Sequence, residues 1–230
     1  MLLCHVSDTH GFFPDLPPEA EVIVHSGDGM PNSSRGNLKV EPRFQSEWVR
    51  KNVETYKKWL GGRPLIYLEG NHCFIDPISI LREAGIDAVN ITNSHYQFKG
   101  IRLYGFPYVP YMAGEWNYEC DSIEMSRHMR RLKDAILEGV DVLVAHAPPH
   151  GILDSNFVIR KEGCMVDYGE RCGNTQLSNY LSYDLPDVPI NQRPKYLLCG
   201  HIHQHFGLQE EFGMLISNAA TVVHTIEIKL

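Results

Sequence analysis

The chain has 230 residues, 43% hydrophobic and 21% charged, the composition of a globular protein long enough to bury a substantial core. A formal charge of -7 and the lack of a Lys/Arg run exclude long duplex nucleic acid as the main partner, while leaving room for a small basic pocket. No segment approaches the roughly 20 apolar residues of a membrane span, and MLLCHVSDTHG turns polar too early for a signal peptide. Cys4, Cys73, Cys120, Cys164, Cys172 and Cys199 form no C-x-x-C pair, so reduced thiols and a cytoplasmic location are expected, and a cysteine-based zinc site is not.

In chain order, LLCHV is an apolar run that ends at Ser7-Asp8-Thr9-His10, and EVIVH ends at Ser26-Gly27-Asp28. Phe44, Trp48, Val49, Val53, Tyr56, Trp59 and Leu60 recur near a 3.6-residue period, predicting helix up to the stop at Gly61-Gly62. PLIYLE ends at Gly70-Asn71-His72, after which Asp76-Pro77 opens a short helix that Gly85 closes. Residues 95–98 and 101–106, joined by Lys99-Gly100, predict a hairpin. Asp121 with Glu124 opens a helix through Glu138, ended by Gly139. DVLVA ends at His146-Ala147-Pro148, a further short helix begins near Asn174, and KYLLC ends at Gly200-His201-Ile202-His203. After Phe206, GMLISNAA and HTIEIKL are expected as closing antiparallel strands. No linker or repeat divides the sequence, so residues 1–230 read as a single domain.

The strand-like runs share one kind of address: each stops at a cluster of metal-ligand residue types. In open α/β sheets ligands bind beyond the carboxyl ends of strands, where such loops converge. The clusters supply two aspartates, one asparagine and five histidines, a mixture that suits manganese, iron, zinc or nickel better than calcium or magnesium. One ion cannot use so many side chains, whereas two ions sharing a carboxylate can. Such a pair, about 3.5–4 Å apart, is a clamp for in-line displacement at phosphorus. Within CGHIHQHFG, His201, His203 and His205 alternate, so an extended chain would turn all three rings to one face.

Asp8-x-His10, Gly27-Asp28, Gly70-Asn71-His72, His146 and Gly200-His201-x-His203 together resemble the ordered motifs of calcineurin-like metallophosphoesterases, over residues 2 to about 220. The resemblance implies an α/β (α+β) fold, a four-layer αββα sandwich of two mixed β-sheets flanked by helices. It implies one metal on Asp8, His10 and His203, a second on Asn71, His146 and His201, and Asp28 bridging them. His72 would be catalytic, stabilising the phosphorane or protonating the leaving oxygen. His205 lies outside the motif. HAPPHGILD, Gly163-Cys164, IRLYGFPYVP, PKYLLCGHIHQHFG and ISNAA resemble the small metallophosphoesterase-domain phosphodiesterases, a group including enzymes active on cyclic nucleotides. The implied activity is hydrolysis of a small phosphodiester such as a cyclic nucleotide, through a metal-bridging hydroxide. The implied cofactors are two divalent transition-metal ions, manganese first, with iron, zinc or nickel as alternatives. A phosphomonoesterase or nuclease on the same scaffold, and a non-enzymatic interaction scaffold, are the competing readings.

Two positions depart from the family pattern. Cys73 stands where members commonly carry an acidic residue, and is read as a small buried side chain. GMPNSSRGN follows Gly27-Asp28 where the protein Ser/Thr phosphatases carry Asp-Arg-Gly, which argues against a phosphoprotein phosphatase of that type. His5 and His25 are expected to be satisfied sheet residues; His95, His128 and His224 are expected at the surface, and His150 either faces substrate or is an ordinary loop histidine. For Phe106, Tyr108, Tyr111, Trp116 and Tyr118, packing on a helix is favoured over stacking on a nucleobase. Asn156, Arg160, Lys161, Arg35, Lys39 and Arg43 are read as solvated polar or charged residues.

Overall fold

The structure, a computed structural model, describes residues 1–33, 38–156, 158–159, 166–167 and 169–229; Arg35, Arg160, Lys161, Gly163 and Cys164 lie outside them. The strands are β1 (Leu2–Val6), β2 (Val22–His25), β3 (Leu65–Tyr67), β4 (Ala88–Asn90), β5 (His95–Phe98), β6 (Ile101–Phe106), β7 (Val109–Pro110) and β8 (Glu119–Cys120). They continue with β9 (Val142–Ala145), β10 (Val158–Ile159), β11 (Val166–Asp167), β12 (Tyr196–Cys199), β13 (Gly207–Glu211), β14 (Met214–Asn218) and β15 (Val223–Glu227). The α-helices are α1 (Glu41–Lys51), α2 (Val53–Leu60), α3 (Ile78–Glu83), α4 (Ser122–Glu138) and α5 (Thr175–Asn179).

Two large mixed sheets carry the fold. One has the order β15-β1-β2-β3-β4, the other β13-β14-β12-β9-β6-β5. β1, β2, β3 and β4 run parallel, as do β14, β12, β9 and β6; β15, β13 and β5 close the edges antiparallel. The parallel strands are covered on both faces, which is why VIVH, VLVA and YLLC are buried at every position and show no alternation. Leu3, Val24, Ile66, Leu103, Val144 and Leu198 form the layer between the sheets. Cys4, Ile23, Val49, Tyr56, Leu60 and Leu81 pack α1, α2 and α3 on the outer face of the first sheet. Leu143, Leu197, Met129, Leu132 and Leu177 pack α4 and α5 on the outer face of the second. These three apolar layers make the αββα sandwich expected from the motifs.

Local chemistry placed most boundaries. The Asp121 side chain accepts the N–H groups of Ile123 and Glu124, and Gly139 ends α4 with a positive φ of 99°. Asn174 caps α5 through the Leu177 N–H, and Asp76 accepts the N–H of Ile78 at 2.9 Å to start α3. Lys99 and Gly100, with φ of 48° and 84°, make the tight turn between β5 and β6.

Four expectations change. The helix predicted through Leu60 breaks at Asn52, whose Nδ2 bonds the Trp48 carbonyl at 2.8 Å, giving α1 and α2. The closing strands belong to different sheets: β14 runs parallel to β12 and antiparallel to β13, while β15 pairs with β1. Residues 203–205 form a 3-10 turn, so the rings of His203 and His205 do not share one face. The fully buried His5 and the buried His25 are satisfied, by Ser217 with Ser26 and by Thr9 respectively. His128 and His224 correct the surface expectation: His128 stacks on Tyr108 at 3.5 Å, and half-buried His224 bonds Ser217.

Candidate metal centre

Each cluster of ligand-type residues lies just beyond the carboxyl end of a strand: Asp8 after β1, Asp28 after β2, Asn71 after β3, His146 after β9 and His201 after β12. Parallel pairing continues beyond the strands and locks the loops together. Asp8 N–H donates to the Gly27 carbonyl at 2.9 Å, and His10 N–H to the Asp28 carbonyl at 2.9 Å. On the second sheet, Gly200 N–H donates to the His146 carbonyl at 2.9 Å. Asp8, His10, Asp28 and His201 all hold positive φ, between 44° and 67°. Left-handed backbone at a non-glycine residue is strained by about 1–3 kcal/mol, so the surrounding pairing has to hold it. That conformation turns these side chains off the strand direction and toward the seam.

Two donor groups converge there. Atoms of Asp8, His10 and His203 lie within 4.8 Å of one another, and so do atoms of Asp8, Asp28 and His146. Between the sheets, Asp8 Oδ1 stands 3.2 Å from His203 Nε2, and Asp8 Oδ2 accepts the His201 N–H at 2.8 Å. Asp28 Oδ1 accepts the His72 N–H at 2.8 Å, and its Oδ2 lies 3.2 Å from His146 Nε2. Asn71 Oδ1 joins the same nitrogen at 3.0 Å. The His201 ring sits 5.2 Å from that of His146, outside both converging donor groups, while its backbone holds Asp8.

Valence at His146 tests whether a cation fits. Nδ1 must donate its hydrogen to the Ser26 carbonyl, 2.9 Å away, because a carbonyl only accepts. In the neutral ring, Nε2 then aims a lone pair at Asp28 Oδ2 and Asn71 Oδ1, two further acceptors. Three acceptor atoms around one point call for a positive centre between them, a proton on Nε2 or a metal ion. Two ligands each about 2.1 Å from an ion and at right angles to it are about 3 Å apart, the spacing seen here. Glycines keep the space clear. A Cβ on Gly70 would come within 2.6 Å of His146 Nε2, one on Gly27 would overlap His146 Nδ1, and one on Gly200 would overlap Asp8 Oδ2.

Without the ion, protons take its place. Burial opposes charge on His146, yet the Asp28 carboxylate outweighs it and raises the imidazole to about 9. Burial likewise pushes Asp8 up, but the His203 hydrogen bond and the His146 charge prevail and hold it at about 2. Asp28 is pulled below its ordinary range by His146 against the same desolvation. His201 is lowered to about 4, first by burial and then by the His146 charge. Both carboxylates are therefore ionised at neutral pH, the state metal ligands need.

His72 stands beside the donors, edge-on to His10 at 5.1 Å. Its Nδ1 donates to Asn32 Oδ1 at 2.6 Å, and its carbonyl accepts from buried Gln45 at 2.7 Å. Trp116 covers the ring, with centroids 4.1 Å apart. Burial lowers the His72 imidazole despite the Asp28 carboxylate nearby. Cys73 takes up hydrogen bonds in the turn: its sulfur receives the Gly70 N–H at 3.3 Å and meets the Tyr67 hydroxyl at 3.1 Å. Burial pushes this thiol far up its scale, so it stays a neutral, inert group.

Sequence reasoning missed Asn32 and Trp116 as partners of His72, since Asn32 sits in GMPNSSRGN without a motif of its own. The aromatic loop divides: Phe106 and Tyr108 are buried, Tyr118 packs against them, Trp116 goes to His72 and Tyr111 is exposed. His205 turns away from the donors, its Nδ1 accepting the Ser155 N–H at 3.1 Å. Arg43 pairs with Glu47 on the exposed face of α1, as a solvated charge.

The calcineurin-like phosphoesterase family matches residues 1–205, a span that contains every one of these donors. The chain belongs to the calcineurin-like phosphoesterase family. That family hydrolyses phosphoesters with divalent metal ions, in keeping with the donor set at the seam. The chain is also 25% identical over 244 residues to human metallophosphoesterase domain-containing protein 1, covering 94% of this chain and 64% of the relative. A UPF0046 protein of Caenorhabditis elegans is 26% identical, covering 96% of this chain and 75% of the relative. A second one is 30% identical, covering 86% of this chain and 50% of the relative. The chain thus spans somewhat less than two thirds of the length of its human relative. No helix among the described residues is long and apolar enough to cross a membrane.

Proposed function

We propose that this phosphoesterase is a dinuclear, manganese-preferring phosphodiesterase acting on a small phosphodiester such as a cyclic nucleotide, as a single domain in the cytoplasm. The observation that carries the reading is the set of oxygen acceptors around His146 Nε2, a point where a metal ion can replace a proton. Asp8, His10 and His203 would hold one ion, Asn71, His146 and His201 the other, and Asp28 would reach both. When bound, the ions supply Lewis acidity toward the phosphate oxygens and an activated water.

The rest of the work falls to the chain. The two ionised aspartates fix the charge of the site, and Gly27, Gly70 and Gly200 keep its centre open. With Nδ1 committed to Asn32, His72 has Nε2 left for the phosphoryl group or the leaving oxygen. Trp116 limits rotation of that ring and excludes water from one of its faces. The test is hydrolysis of an aryl phosphodiester against the matching monoester with manganese. Faster diester cleavage is the expected result. Faster monoester cleavage would replace phosphodiesterase by phosphomonoesterase, and no metal-dependent hydrolysis of any phosphoester would leave an interaction scaffold.

A further inference from the structure

Beside the donors lies a cavity of about 550 Å3, within the range of small-molecule sites. His201 forms one wall, and Arg171, Tyr111, Met112 and His150 line the rest together with Gln204. The mechanism above uses none of these residues except His201. Arg171, half-exposed, is anchored through one of its nitrogens. Its Nη1 donates to Asp154 Oδ1 at 2.9 Å, and Asp154 is fully buried. The other oxygen of Asp154 takes the N–H groups of Gly151 at 2.9 Å and Gly173 at 3.1 Å, so the anchoring carboxylate is itself pinned. Backbone bonds flank the arginine: Cys172 N–H to the Asp154 carbonyl at 3.0 Å, and Asn156 N–H to the Glu170 carbonyl at 3.1 Å.

A guanidinium has five N–H donors, and Asp154 is the partner recorded for Arg171 among the described residues. The ion pair offsets the arginine's charge and tethers one nitrogen, so what it presents to the cavity is an anchored set of N–H donors more than a net positive field. A guanidinium fork matches neighbouring neutral acceptors, such as a ring carbonyl and a ring nitrogen. Tyr111 and Met112, 61% and 49% exposed, supply flat apolar surface on the same cavity. An aromatic face next to a donor fork is the chemistry of heterocycle recognition.

We propose that this groove is the specificity subsite of the centre. A planar heterocycle carried on the phosphodiester lies against Tyr111 and Met112 and presents a carbonyl and adjacent ring nitrogen to Arg171. Guanine offers that pair, whereas adenine places an amino donor where the carbonyl would be. The proposal rests on the phosphodiesterase reading, and its test separates the two.

The measurement is kcat/KM of the manganese-loaded protein on cyclic GMP, cyclic AMP and an aryl phosphodiester, for the wild type, Arg171→Lys and Tyr111→Ala. Lysine keeps a cation beside Asp154, which guards against misfolding, but loses the fork. The wild type should favour guanine over adenine by about tenfold or more. Arg171→Lys should remove most of that preference and leave the aryl substrate within about twofold, and Tyr111→Ala should weaken both nucleotides by about threefold or more. A wild type that cleaves the aryl diester yet treats both purines alike, or a lysine variant that slows all three equally, overturns the subsite and leaves the reaction standing. If the wild type cleaves none of the three, the phosphodiesterase reading falls, and calorimetry with guanosine decides the groove. Guanosine binding that Arg171→Lys abolishes would uphold the subsite, and its absence in the wild type would overturn it.

Discussion

The two sheets bring opposite chemistry to one seam. Loops after β1, β2 and β3 supply every oxygen donor, Asp8, Asp28 and Asn71, with His10 as their donor imidazole and His72 beside it. Loops after β9 and β12 supply imidazoles alone, His146, His201 and His203. Each half compensates the other: the carboxylates raise His146 and His203, and those rings hold the carboxylates ionised. The centre is thus a property of the interface between the sheets, and either half alone would carry uncompensated buried groups.

The largest effect expected from breaking that complementarity is at Asp28, which faces His146 with one oxygen and the His72 amide with the other. Asp28→Ala should lower phosphoester hydrolysis by about 1000-fold or more and reduce bound manganese to at most one ion per chain, read by rate assay and metal analysis. Gly70→Ala attacks the same point sterically, since its Cβ would meet Asp28 Oδ1 and His146 Nε2. It should destabilise the fold by about 2 kcal/mol or more, seen as a lower urea midpoint, and should weaken metal retention.

Asn32→Ala leaves both sheets' donors in place and frees the His72 ring, losing besides only two long Nδ2 bonds of 3.4 Å, to Glu41 Oε2 and the His72 carbonyl. A fall in kcat of about 10- to 100-fold with unchanged metal content is expected. Equal loss of metal would instead make Asn32 part of the donor scaffold. The smallest effect belongs to His205→Ala, which removes one acceptor from Ser155 N–H. About 1 kcal/mol of stability and no bound metal should be lost. Metal loss equal to that of His203→Ala would show that the turn had been divided wrongly.

The pH dependence of metal-free stability sharpens the comparison further. Asp8 is lowered from 3.8 to about 2, so its contribution is present above pH 3.8 and lost as pH falls toward 2. His25 and His201 are lowered from 6.5 to about 4, so unfolded imidazoles take up protons first and stability falls below pH 6.5. His146 is raised from 6.5 to about 9, so its contribution is complete below 6.5 and is lost as pH rises through 9. The melting temperature of the metal-free protein should therefore peak near pH 6.5. Manganese should flatten the alkaline side, because it takes over the place of the His146 proton.

Much of this was legible in the residues because the site and the strands share boundaries. LLCHV, EVIVH, PLIYLE, DVLVA and KYLLC each end at a donor, and buried parallel strands leave apolar runs that are hard to miss. Asp121, Asn174 and the Lys99-Gly100 turn declared themselves by local chemistry. β13 did not, since GLQEE is an edge strand with exposed charge and little apolar content. The break at Asn52 depends on one side-chain bond inside an otherwise helical period. Asn32, Trp116 and the Arg171–Asp154 pair reach their places through tertiary contacts 17 to 44 residues apart in sequence, or through ring stacking, and no spacing rule records such contacts.

In the proposed function, two ions at the seam drive phosphoester hydrolysis. Metal analysis of the manganese-loaded protein, paired with its rate on an aryl phosphodiester, tests it most directly. Close to two ions per chain are expected, with a rate that disappears on chelation and returns with manganese. A stoichiometry of one or none, or a rate indifferent to chelation, would contradict it.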